Sequence, residues 1–130
     1  MRGAFLGIAL TAVSGLTVQA EEWLASGGAY GGATQARAVC YFSNVGTTNL
    51  LLKAPQINDN NGNAQPLVID QCRNIFNRIV PPKRHCGIAA DIATNLTYSC
   101  QTKVESTVNA RGTLEFRDAS QNILSTIELR

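Results

Sequence analysis

Two patterns of apolar residues divide the chain. Residues 3–18 form an uncharged, mostly apolar run dense in Ala, Leu, Val and Ile, directly behind Arg2. From residue 36 onward apolar and polar side chains alternate instead, the period of a strand with one face in a core. Residues 36–43 place Ala38, Cys40 and Phe42 on one face. Residues 96–106 place Leu96, Tyr98, Cys100, Thr102 and Val104 on one side and Gln101, Lys103 and Glu105 on the other. Residues 111–117 set Gly112, Leu114 and Phe116 against Arg111, Thr113, Glu115 and Arg117. Residues 123–129 close the chain with Ile123, Ile127 and Leu129 inward. The shorter runs Leu50-Leu51-Leu52 and Leu67-Val68-Ile69 predict two more strands. Pro55 sends the first of these to an edge or a bend, because proline cannot donate to a central ladder. Residues 87–92 fit a strand, and residues 89–93 fit one helical turn equally well.

Turn chemistry separates these segments. Asn44-Val45-Gly46-Thr47, Asp59-Asn60-Asn61-Gly62-Asn63 and Asp118-Ala119-Ser120-Gln121-Asn122 supply residues that accept positive φ or bond their own backbone. Seven or eight short strands with turns every 8–12 residues predict an all-β, antiparallel sandwich. Its expected limits are residues 36–130. Residues 21–35 read as a Gly-rich, linker-like N-terminal segment in which Trp23 and Tyr30 could dock as a short first strand.

The run at residues 3–18 reads as the apolar region of a cleavable signal helix over residues 1–20, with Arg2 ahead of it and Val18-Gln19-Ala20 at the cleavage site. A spanning helix needs roughly 20 apolar residues, and this run is shorter and broken by Gly7, Ser14 and Gly15. Removing 20 of 130 residues leaves 110, and the loss of Arg2 takes the formal charge from +2 to +1. Such a chain is expected in the periplasm or outside the cell, without steering toward nucleic acid.

Export changes the reading of Cys40, Cys72, Cys86 and Cys100. An even count behind a signal peptide reads as disulfides. Zinc wants short paired spacings, and the gaps here are 32, 14 and 14 positions. Four cysteines allow three pairings, and sequence cannot choose among them. The preferred one joins Cys72 to Cys86 across a Pro-containing loop and Cys40 to Cys100 between distant strands.

The run Ala38-Val39-Cys40-Tyr41-Phe42-Ser43-Asn44-Val45-Gly46, the later Cys72, Pro81-Pro82 before Cys86, and Arg111-Gly112-Thr113-Leu114-Glu115-Phe116-Arg117-Asp118 carry a resemblance. They resemble the immunoglobulin-like domains of small exported bacterial proteins with four cysteines, and immunoglobulin-like modules of the ASPM/SPD-2/Hydin type. The resemblance covers residues 36–130. It implies an immunoglobulin-like sandwich and no shared catalytic residues. Lys83-Arg84-His85 departs from it, where a Gly-containing tight turn is usual.

Chemistry is mostly excluded by what is missing. The one histidine is His85 and the one methionine is Met1, so a blue-copper ligand set is lacking. His85 abuts Cys86, which leaves it poorly placed as the base of a triad or a Cys–His dyad. Glu105, Glu115 and Glu128 fall on polar strand faces, where pairing with Lys103, Arg111 or Arg117 across strands is expected rather than acid–base work. Asp59-Asn60-Asn61-Gly62-Asn63 lacks a calcium loop's bidentate Glu, since Val68 occupies that place. No catalytic, metal or cofactor-binding residue is expected.

One feature remains. Between Cys72 and Cys86 lie Arg73, Arg78, Lys83 and Arg84, +4 without an acid, interleaved with Ile75, Phe76, Ile79 and Val80. Such a loop is either a solvated face or a grip on an anionic envelope component or an acidic protein. Arg78, Lys83, Arg84 and His85 are its expected contact residues. The expected function is therefore a non-catalytic binding or structural module. Two alternatives stand beside it: a subunit of an envelope assembly joined through the Gly-rich segment, and a small hydrolase.

Overall fold

Alternation makes the long strands of the computed structural model, which describes residues 20–130. β1 is Glu22–Ala25, β2 Gln35–Asn44, β3 Leu50–Leu51, β4 Lys53–Asp59 and β5 Ile69–Asp70. A single helical turn, α1, occupies Gln71–Asn74. β6 is Ile79–Val80, β7 His85–Asp91, β8 Tyr98–Val104, β9 Ala110–Asp118 and β10 Ile123–Leu129. The expected signal helix lies, apart from Ala20, outside the described residues.

Every strand pairing is antiparallel. A five-stranded sheet runs β10-β9-β2-β7-β5, a three-stranded sheet runs β1-β8-β4, and β3 with β6 forms a small third ladder. The two larger sheets pack together as a β-sandwich. β2 contributes Ala38, Cys40 and Phe42, β9 contributes Leu114 and Phe116, and β8 contributes Tyr98, Cys100 and Val104 to one buried cluster. Cys40 on β2 is bonded to Cys100 on β8, so a covalent link joins the two sheets through the core. Cys72 in α1 is bonded to Cys86 at the start of β7. Two disulfides suit an oxidising, extracytoplasmic setting. Among the described residues no helix is long and apolar enough to cross a membrane.

The sheets correct several expectations. Of the two readings left open for residues 87–93, the strand over 87–92 holds and the helical turn over 89–93 does not, because β7 pairs with β2 from Asp91 to His85. Residues 21–35 are not wholly linker-like: Trp23 lies on a short first strand, as that reading allowed, and this β1 hydrogen-bonds to β8. Neither expected aromatic anchors that strand, for Trp23 and Tyr30 are 47 % and 48 % exposed while Leu24 is buried. Of the Leu67-Val68-Ile69 run only Ile69 is in a strand, together with Asp70 in the two-residue β5. Ile123 faces out and is 60 % exposed, because the register shifts between Ile123 and Ser125. That bulge turns Leu124 inward in its place. Glu115 pairs along its own strand with Arg117 at 2.7 Å, not across strands, and Lys103 reaches Glu21 on the N-terminal segment at 3.7 Å.

Pro55 sits where its missing N–H is harmless. β4 is an edge strand with a register shift between Lys53 and Gln56. Ala54 takes a positive φ of 45° at that break.

Candidate functional site: a disulfide-clamped basic loop

The segment from Cys72 to Cys86 is ordered by its own backbone bonds. Asp70 caps α1 by accepting from the Arg73 N–H at 3.0 Å. The chain then closes on itself: Asn77 N–H donates to the Arg73 carbonyl at 2.9 Å and Arg78 N–H to the Cys72 carbonyl at 2.7 Å. Asn77 and Arg78 take positive φ values of 49° and 64° to make that reversal. β6 follows and pairs with β3, Leu50 opposite Val80 and Leu51 opposite Ile79. Leu52 N–H extends the ladder to the Arg78 carbonyl at 2.8 Å.

The second half of the segment turns at Pro81-Pro82. Arg84 N–H donates to the Pro81 carbonyl at 3.2 Å and Lys83 N–H to the Asn44 carbonyl at 3.0 Å. Lys83 itself adopts φ = 63°, so a lysine fills the turn position where a glycine is usual. Behind the turn, the buried Asn44 amide donates to the Val80 carbonyl at 2.8 Å and to the Thr48 carbonyl at 2.7 Å. The Cys72–Cys86 bond, the β3–β6 ladder and Asn44 thus hold the loop from three sides.

The expected contact residues distribute over this frame. Lys83 and Arg84 are exposed side by side in the turn, and Arg78 is half-buried at the foot of β6. The Arg84 guanidinium lies 5.5 Å from the Phe76 ring centroid, a cation–π contact across the loop. His85 stands apart: it opens β7 opposite Ser43, as part of the five-stranded sheet. Among the described residues, no carboxylate ion-pairs with Arg73, Arg78, Lys83 or Arg84.

An apolar component lies among these cations. Leu51 and Ile79, directly opposite on β3 and β6, are 45 % and 44 % exposed, and Ile75 is 63 % exposed. Leu51 was missing from the expected site. A signal existed: in a run of three leucines, a strand buries the outer two and turns the middle one out.

Four hollows of about 190–340 Å³ on the described surface each carry at most one acidic side chain, Glu105 in one and Glu128 in two others. All four thiols are consumed in disulfides, so none is a nucleophile or a metal ligand. Comparison with protein-family models, curated proteins and solved structures returns no match, so the site rests on the chain's own residues.

Proposed function

We propose that this protein is an exported, non-catalytic binding module that docks on an anionic component of the cell envelope through the loop between Cys72 and Cys86. One observation carries the reading: Arg73, Arg78, Lys83 and Arg84 have no ion-pair partner among the described residues, and they share a clamped loop with exposed Ile75 and Ile79. A solvated charged face has no need of exposed isoleucines. A surface that meets phosphate groups above an apolar layer uses both. The rigid frame favours binding, since little loop entropy is lost on contact. We read the sandwich as immunoglobulin-like, a reading supported by the inter-sheet Cys40–Cys100 bond.

The test is co-sedimentation with vesicles of phosphatidylglycerol in phosphatidylcholine. Binding is expected to weaken between low and physiological salt, as screening requires. Each Lys or Arg near an anionic surface is worth about 1 kcal/mol. The triple variant Arg78→Ala, Lys83→Ala, Arg84→Ala should therefore bind on the order of 100-fold more weakly. Equal binding by the triple variant, or equal binding to pure phosphatidylcholine, overturns the proposal.

A further inference from the structure

Arg37 on β2 and Arg117 on β9 are direct cross-strand neighbours. Like charges in that relation destabilise a sheet, so their survival needs a reason. Part of it is local. Arg37 donates from Nε and Nη2 to Asp91 Oδ1 at 3.2 and 3.1 Å. Arg117 donates from Nε to Glu115 Oε2 at 2.8 Å and from Nη2 to the Tyr41 hydroxyl at 3.1 Å. The bond to Glu115 raises the Arg117 pKa above its ordinary value, which keeps the guanidinium charged. Yet Nη1 of each arginine has no partner among the described residues.

Both side chains line one hollow of about 200 Å³ on the outer face of the five-stranded sheet. Its floor is made of small or apolar residues: Val39 and Ala89 are cross-strand partners, and Gly87 lies opposite Tyr41. All three floor residues are buried although they point away from the core, since their neighbours Cys40, Ile88 and Ala90 point into it. A Cβ on Gly87 would meet the Tyr41 ring at 3.3 Å, so the missing side chain lets the ring close down as a wall. Ile69, 42 % exposed, forms the opposite rim. The hollow is below the roughly 300–1,000 Å³ of drug-sized sites, so it takes about one ring or one branched side chain.

We propose that this hollow binds a carboxylate carried on a small apolar body, the carboxylate gripped by the free Nη1 groups of Arg37 and Arg117 and the body laid on Val39, Gly87 and Ala89. Paired guanidiniums suit a planar carboxylate because each offers donors in a fixed plane. The carboxylate comes either from a free organic acid or from the C-terminus of a peptide. This site shares no cation with the basic loop, so each proposal can fail without the other.

The experiment is a titration of the ¹⁵N-labelled full chain with 3-phenylpropanoate, followed by amide shifts, with 3-phenylpropanamide as its neutral twin. A fragment of this size should bind with a Kd on the order of 1 mM. Shifts should concentrate at Gly87, Ala89 and Arg37, and the amide should bind at least about tenfold more weakly. Arg37→Gln should cost at least about tenfold while keeping the remaining spectrum, because its partner Asp91 is 67 % exposed and the pair adds little to stability. Arg117→Lys retains the charge that Glu115 needs, loses the planar fork, and should weaken binding too. N-acetyl-Ala-Phe with a free C-terminus, against its amidated form, assigns the source: tighter binding than 3-phenylpropanoate assigns a peptide end, weaker binding a free acid. No shift in the hollow at about ten times the expected Kd, equal binding of acid and amide, or unchanged binding by Arg37→Gln overturns the proposal.

Discussion

The side-chain amide of Asn44 donates to the Thr48 and Val80 carbonyls, and its oxygen accepts from the Gly46 N–H at 2.9 Å. It is 1 % exposed and its bond to the Val80 carbonyl is buried, so water cannot replace that bond. Asn44→Ala removes one buried and two part-buried hydrogen bonds, and should lower the unfolding free energy by about 1–3 kcal/mol in urea titration. Asn44→Asp keeps the shape and the acceptor for Gly46 but turns an oxygen toward both carbonyls. It should cost more than Asn44→Ala at neutral pH and recover as acid protonates it. Gly31 makes a steric point of the same kind: a Cβ there would lie 2.4 Å from the Phe116 Cβ. Gly31→Ala should cost about 1–3 kcal/mol by overpacking, measured in the same titration. Neither role could be read along the chain, because Val80 and Phe116 reach these residues only through the fold.

At the scale of elements, two Asx turns are sensitive to acid. Asp59 accepts from the N–H groups of Asn61 and Asn63, and Asp118 from those of Ser120 and Asn122, all at 2.9 Å. These bonds lower both carboxyl pKa values below the ordinary 3.8, the bond from residue 63 or 122 contributing most. A carboxylate lowered in the folded state adds stability that is fully present above its unfolded pKa and is lost as pH falls through the folded one. Asp118→Asn should therefore be less stable than wild type at pH 7, and the gap should close as pH falls below about 4. Urea midpoints at both pH values measure it. These turns were legible because Asx chemistry is local. The long strands were legible for a related reason, since β8 buries Tyr98, Cys100, Thr102 and Val104 by the alternation its sequence shows. Legibility ended where geometry is non-local. A bulge moves Ile123 out of the core, and β5 and β6 exist only because β7 and β3 lie beside them. The facing pair Arg37 and Arg117 likewise depends on the β2–β9 register, which alternation alone does not specify.

For the whole molecule, the two disulfides have separable roles. Cys40–Cys100 closes a separation of 60 residues and ties sheet to sheet, whereas Cys72–Cys86 closes 14 and ties the basic loop to β7. In the chain-entropy account these constrain the unfolded chain by about 4 and about 3 kcal/mol. A domain of this size has about 5–15 kcal/mol in total, so the inter-sheet bond is the less dispensable. Cys72→Ala with Cys86→Ala should still fold, with an unfolding free energy lower by about 3 kcal/mol. Its losses should be local: faster hydrogen exchange at Arg78 and Ile79, whose amides donate to Cys72 and Phe76. If the rigid loop is what binds anionic vesicles, affinity should fall although every cation is retained. Binding of 3-phenylpropanoate should fall less, because Arg37 and Arg117 are carried by β2 and β9, although Gln71 and Gly87, which line the hollow, adjoin the two cysteines. Loss of both activities, together with changed amide shifts along β9 and β10, would mean that the short disulfide holds the sandwich as a whole, and that the loop is not the independent unit its backbone bonds describe.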